Sequence, residues 1–412
     1  MAKPLGLRND ETIRSIAGRS KAYFVLIVMV SVIPGFLEGF DGSLFQFAAP
    51  YVVQNIQAAP AMLGVLATGY AVGMALFSMI GGILFDKFSV KYTILISVTI
   101  FAVFTLVSGL ARSLATLIIA RLLVGIGIGM FQPAIIAFLG DIFPKTRSRS
   151  ISVFGVIYGA GIFFAPYIIS PFLPHIQVPF VISGILAVLS LVAFYLIVPK
   201  TYKKVEKHRI GMKGILNKNV CILSVAILLY GISLFGYLGF YSQYLLKVQS
   251  IHPIQAAAIS SMYGLGALIS TFPIGMLADK IGRKHVVRLA SLLLLISGVG
   301  MFSVGRDLTA LSIFTFVFGA GNGFVGLAAA LGQDSVKEQL TGIVTGWLFF
   351  LFNIGAMLGG PVFAAFLPIG FVKSGIVTLG VSSLLSFILT LFAGSGVQTR
   401  TVSTPDPTRI NN

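Results

Sequence analysis

The sequence predicts an all-α membrane protein with twelve transmembrane helices in two pseudo-symmetric six-helix halves. Three observations carry this. The 412 residues are 57% hydrophobic and only 10% charged, whereas a soluble domain carries about 25% charged residues. Apolar runs near the roughly 20 residues that a helix needs to cross a bilayer recur from end to end. The basic residues also sort by loop: with twelve spans, 24 of the 29 Lys and Arg fall in loops on the side of the termini. The opposite loops hold only Arg112, Lys247, Arg306 and Lys373, and Arg121 remains inside a span. Positive charge marks the cytoplasmic face, so both termini are expected in the cytoplasm of a multi-pass protein of the cell membrane.

Breaks at charges, prolines and polar runs place the first six spans at 22–47, 61–84, 93–111, 115–139, 151–173 and 178–198. The last six follow at 220–246, 254–278, 287–305, 309–331, 341–367 and 374–394. Residues 1–21 form a polar, basic tail, and the apolar run after it is longer than the core of a cleavable signal peptide, so the first span is expected to be retained. The basic stretch "KTYKKVEKHRIGMKGILNKN" at 200–219 divides an N-terminal half, 22–199, from a C-terminal half, 220–394. A second tail occupies 395–412.

The net charge of +17 is read as orientation in the bilayer, not as contact with nucleic acid. Cys221 is the only cysteine, which excludes an intramolecular disulfide and a multi-cysteine metal site. His175, His208, His252 and His285 lie in or beside loops without metal-ligand spacing. No metal, cofactor or enzymatic activity is expected, and the chain is expected to work as a monomer.

Two loops repeat. "GGILFDKFSVKY" follows the second span and "PIGMLADKIGRKHV" the eighth. An offset of 193 residues aligns Gly82, Asp86, Lys87 and Lys91 with Gly275, Asp279, Lys280 and Lys284. A matching loop in each half implies a duplicated architecture with a cleft between the halves. These residues resemble the loop signature of the major facilitator superfamily of secondary transporters. Residues 275–284, including Gly282 and Arg283, fit it fully, and in the first copy Ser89 and Val90 replace a glycine and a basic residue. Arg121, Gly125, Gly127 and Gly129 are similar to the fourth-span pattern of that family, and "DIFPKTR", which contains Arg147, to its ending. The fifth span lacks the antiporter signature. The resemblance implies alternating access, with both loops and Arg147 latching the halves on the inside.

Glu38, Asp41 and Arg121 are the obvious charges in the membrane interior. Intramembrane ionisable residues face cavities and pair with one another. Asp41 lies 20 residues beyond Lys21, about 30 Å up a helix, and Arg121 lies 24 residues from Lys145, about 36 Å from the same face. These depths agree, and positions 38 and 41 can point the same way. Glu38 and Asp41 are therefore proton-site candidates, expected to be held by Arg121 and cavity water; a static Asp41–Arg121 clamp is the other reading. In the second half the offset leads instead to Gly231, Leu234 and Phe314. There the seventh span offers Tyr230, Tyr237 and Tyr241 at helical spacing, residues that suit an organic substrate or ordinary helix packing. Gln132, Tyr158, Asn322 and Asn353 complete the substrate-binding candidates.

"EGFDGSLFQFAAP" resembles the first-span segment of proton-coupled aromatic-acid and related carboxylate symporters, with Glu38 in place of an aspartate. This resemblance implies uptake of a small organic anion together with protons; a sugar or polyol symporter or uniporter of the same fold is the alternative. A monoanion entering a negative cell works against about 2.3 kcal/mol per 100 mV, which one accompanying proton removes. Arg121 could grip a substrate carboxylate as a fork. Substrate would then compete with Asp41 for the guanidinium.

Overall fold

The computed structural model describes residues 21–87, 90–142, 147–198, 217–336 and 341–394. Every regular element among the described residues is a helix. The chain's first half contains α1 (Lys21–Asn55), α2 (Met62–Lys87), α3 (Val90–Leu110), α4 (Leu114–Ile142), α5 (Arg147–Ile169) and α6 (Gln177–Ile197). Its second half contains α7 (Lys218–Gln243), α8 (Pro253–Ile281), α9 (Arg283–Ser303), α10 (Leu308–Gly321), α11 (Phe324–Gln333), α12 (Thr341–Phe366), α13 (Phe371–Gly375) and α14 (Ser382–Phe392). α10 and α11 continue one rod, as do α13 and α14, which are joined by π-helical turns at Ile376–Val381. Among the described residues, 10 helical stretches are long and apolar enough to cross a membrane. Leu196, Leu76 and Phe392 are among the large apolar side chains exposed on the outside, as a lipid-facing surface requires.

Two expected spans differ. The first helix runs on to Asn55, through Pro34 and Pro50, because the residues after position 47 stay apolar and pack on neighbouring helices. The tenth is interrupted at "GAGNG": glycines favour a break, and the Asn322 N–H turns to Gly319 O. Most of the expected linker, residues 200–216, lies outside the described residues.

Backbone contact at glycines sets the packing of the first half. A Cβ on Gly129 would lie 2.6 Å from Met74 O of α2, and one on Gly127 would lie 2.7 Å from Phe101 N of α3. The fourth-span glycines thus seat α4 directly on α2 and α3, as small residues do in membranes. Each half also ties its last helix back to its third. Lys91 Nζ donates to Tyr195 O at 2.6 Å and Val198 O at 2.5 Å. Arg288 donates to Thr390 O at 3.1 Å and Leu391 O at 2.7 Å. Both cations satisfy carbonyls at a helix C-terminus.

Both described chain ends share one end of the bundle. Tyr23 bonds Ile197 O, and Asn219 bonds Gly394 O. The halves meet at the opposite end. There Lys247 Nζ donates to Gln54 Oε1 at 3.0 Å, Ser242 Oγ to Phe47 O at 2.8 Å and Thr68 Oγ1 to Met357 O at 3.0 Å. Gly64 and Gly360 touch through their backbones, a Cβ on Gly360 lying 2.6 Å from Gly64 O.

Candidate functional site

Between the halves lies a cavity of about 910 Å³. Its walls run from Leu63 and Ala49, next to the contacts between the halves, to Ser78 and Thr345 toward the terminal end. α1, α2, α4 and α5 supply one wall; α7, α8, α12 and the α10–α11 rod supply the other. Arg121 is the one charged side chain on the described wall, and Gln132, Tyr158, Asn322 and Asn353 also line it.

Asp41 and Arg121, matched in depth by sequence, form a buried ion pair: Arg121 Nη1 lies 3.1 Å from Asp41 Oδ2, with the side chains 2% and 0% exposed. Thr105 of α3 donates to the other carboxylate oxygen at 3.0 Å. The guanidinium also lies over two rings, 4.2 Å from the Phe45 centroid and 5.1 Å from that of Tyr70. Such faces attract a cation through their quadrupole. Arg121 Nε has no hydrogen-bond partner among the described residues.

Glu38 departs from the expectation. Arg121 does not hold it; Gln132 Nε2 donates to Glu38 Oε1 at 2.5 Å. Gln132 lies 11 residues after Arg121, about three helical turns, and so on the same face of α4. Neither carboxylate is on the cavity wall; both are buried behind it. Glu38 Oε2 has no hydrogen-bond partner among the described residues.

The tyrosines of α7 are also corrected. Tyr230, Tyr237 and Tyr241 are fully buried and none lines the cavity. Tyr237 packs on Tyr241, Tyr263 and Phe318, and the Tyr241 hydroxyl bonds Thr315 at 2.7 Å. Their spacing marks a seam between α7 and the helices around it. Tyr230 reaches the cavity only indirectly, by donating to Asn322 Oδ1 at 2.6 Å.

A sequence model of the Major Facilitator Superfamily matches residues 32–247 and, again, residues 223–409. The chain belongs to the Major Facilitator Superfamily. This facilitator is 23% identical to the hexuronate transporter of Bacillus subtilis (strain 168) over 376 residues, covering 83% of this chain and 87% of that one. It is 24% identical to the 4-hydroxybenzoate transporter PcaK of Pseudomonas putida over 392 residues, covering 84% and 86%. Its fold matches that of the nucleoside transporter NupG with a TM-score of 0.72 at 15% identity, over 89% of this chain and 98% of that one. It is a multi-pass membrane transporter, not an enzyme.

The loop residues of this facilitator stand apart from the cavity. Gly282 ends α8 with φ +92°, a conformation that favours glycine. Arg283 pairs with Asp334 at 2.7 Å and donates to Ala330 O at 3.3 Å, within its own half. Lys280 is exposed and Lys284 half-buried. Gly275 would have nothing within 4 Å of an added Cβ; the described contacts between halves cluster at the far end. Gly82, Asp86, Lys87, Asp279 and Arg147 sit in helices, but their side chains lie outside the described residues.

Sequence reasoning missed Thr105, Phe45 and Tyr70 around Arg121. It also missed the second half's contribution of Tyr263, Trp347, Phe350 and Phe352 to the wall. Tyr70 and Phe45 carry no mark in an aromatic-rich membrane sequence. A threonine in a span usually serves its own helix, as Thr99 does by bonding Leu95 O.

Proposed function

We propose that this facilitator is a proton-coupled symporter that takes up a small organic carboxylate by alternating access. The observation that carries the reading is the buried Asp41–Arg121 pair beside the cavity. Arg121 is the described cation on the wall, so a carboxylate has one place to go. If substrate takes the guanidinium, Asp41 loses its partner, and an unpaired buried charge costs about 3–5 kcal/mol. Protonation of Asp41 removes that cost, so substrate and proton enter together. Glu38, bonded to Gln132, is the second proton site. Hexuronate and 4-hydroxybenzoate, the substrates for which two relatives are named, are both carboxylates, which supports the class. With the termini in the cytoplasm, the cavity opens inward, and Asp86, Asp279 and the basic residues of the two loops latch the opposite, outward-open arrangement.

Proteoliposomes test this. Asp41→Asn is expected to abolish uptake driven by an inward proton gradient, because Asn keeps the shape but carries no exchangeable carboxyl proton. Exchange of labelled for unlabelled substrate needs no net proton movement and is expected to survive in part. Arg121→Lys is expected to weaken both, since a point charge does not replace the fork. Full accumulation by Asp41→Asn would make the pair a static clamp.

A further inference from the structure

The cavity wall contributed by the second half carries no charged side chain among the described residues. It presents two amides, Asn322 and Asn353, among aromatic rings. Asn322 sits at the interruption between α10 and α11, flanked by Gly321 and Gly323. Its backbone N–H bonds Gly319 O. Tyr230 lies behind it, 1% exposed, with its ring against Phe324 and Phe352 at 5.4 and 5.9 Å. The Tyr230 hydroxyl donates to Asn322 Oδ1 at 2.6 Å. A primary amide has one acceptor oxygen and an NH2 group with two donors. The buried hydroxyl takes one of the two lone pairs of the Asn322 oxygen and fixes the amide so that its NH2 is available to the cavity it lines.

We propose that Tyr230 is a positioning residue that makes Asn322 a hydrogen-bond donor to a neutral acceptor oxygen on the substrate. This rests on the carboxylate reading above and extends it to a substrate class: a flat organic acid with a hydroxyl, ether or carbonyl oxygen remote from its carboxylate. Arg121 in the first half takes the carboxylate, and Asn322 in the second takes the acceptor. Tyr70, Phe235, Tyr263 and Phe352 line the cavity with them and suit a ring. A molecule hydroxylated on every side would turn most of its hydroxyls to apolar wall, where an unpaired polar group is costly. A ligand anchored to both halves also has a reason to favour an arrangement in which they close around it.

The chain has one tryptophan, and Trp347 lines the cavity, so its fluorescence in the purified full-length protein reads binding. The probes are 4-methoxybenzoate and its apolar isostere 4-ethylbenzoate, with the corresponding neutral benzamides. The native protein is expected to prefer methoxy over ethyl by about three- to tenfold, the range of one hydrogen bond. In Tyr230→Phe, which keeps the packed ring, the preference is expected to fall below about twofold; Asn322→Ala is expected to do the same. An unchanged preference in Tyr230→Phe, or none in the native protein, overturns the assignment. If the benzamides bind as tightly as the acids, the carboxylate anchor is wrong, and the methoxy-to-ethyl ratio of the benzamides still decides the role of Tyr230. Binding of none of the four overturns both.

Discussion

Arg121 is held by one nitrogen to Asp41 and by its plane to Phe45 and Tyr70, while its Nε has no partner among the described residues. A guanidinium held this way cannot swing freely toward a substrate, so its release from Asp41 must be compensated at Asp41 itself. Thr105 is the other partner of that carboxylate, and a hydrogen bond to a charged group contributes about 1.5–3 kcal/mol. Thr105→Val is expected to cut proton-driven uptake by about 12- to 160-fold, the fold-change that range converts to, and Thr105→Ser to restore most of it. Initial uptake rates at equal protein levels check this; a valine variant with native rates would leave the hydroxyl idle. Asp41 and Arg121 were legible in the sequence because a charge in an apolar run is costly and their depths match. Thr105 was not, because nothing in a single helix tells which neighbour its hydroxyl faces.

Among the helices, the fourth-span glycines place the guanidinium. With Gly129 backbone-to-backbone on Met74, α4 sits close enough to α2 for Arg121 to lie over Tyr70. Gly129→Val would drive a branched side chain into Met74, and overpacking costs about 1–3 kcal/mol. Gly155 has nothing within 4 Å of a Cβ; Gly155→Ala is expected to be neutral or to gain up to about 1 kcal/mol of helix propensity. Thermal unfolding in detergent should show the first variant melting several degrees lower and the second unchanged or higher. Equal melting would mean that the helices have room to part. The loop repeat was legible as spacing, yet its 193-residue offset pairs Lys91 with Lys284. The structure instead gives Lys91's role to Arg288, one helical turn later, because the role follows where the last helix of each half ends.

The whole molecule carries two testable expectations, its orientation and its gating. Both described chain ends lie at one end of the bundle, and from the asymmetry in basic residues we propose that this end faces the cytoplasm. Lys204→Cys, with Cys221 replaced, is expected to react with an impermeant thiol reagent only after cells are permeabilised; labelling of intact cells would reverse the orientation. The contacts between the halves at the far end must open for substrate to enter there. Gln54→Cys with Lys247→Cys, at a place where the native side chains bond at 3.0 Å, is therefore expected to stop transport when bridged by a short thiol cross-linker. Cleaving the cross-linker should restore it. Transport that persists in the fully cross-linked protein would mean that this end stays shut throughout the cycle.

The helical membrane class, the doubled plan and the pair of opposite charges were readable from the order of residues alone. Each follows from local properties: the cost of placing a residue in hydrocarbon, the side on which a loop's charge settles and the spacing along one helix. Which partner each polar group takes was settled by helix packing. It sent Glu38 to Gln132 instead of Arg121, buried Tyr237 and Tyr241 in a seam, and set Tyr230 behind Asn322. Those outcomes depend on how each helix is rotated and where it crosses its neighbours. Rotation and crossing are set by packing across helices far apart in the chain, which no periodicity within one helix encodes.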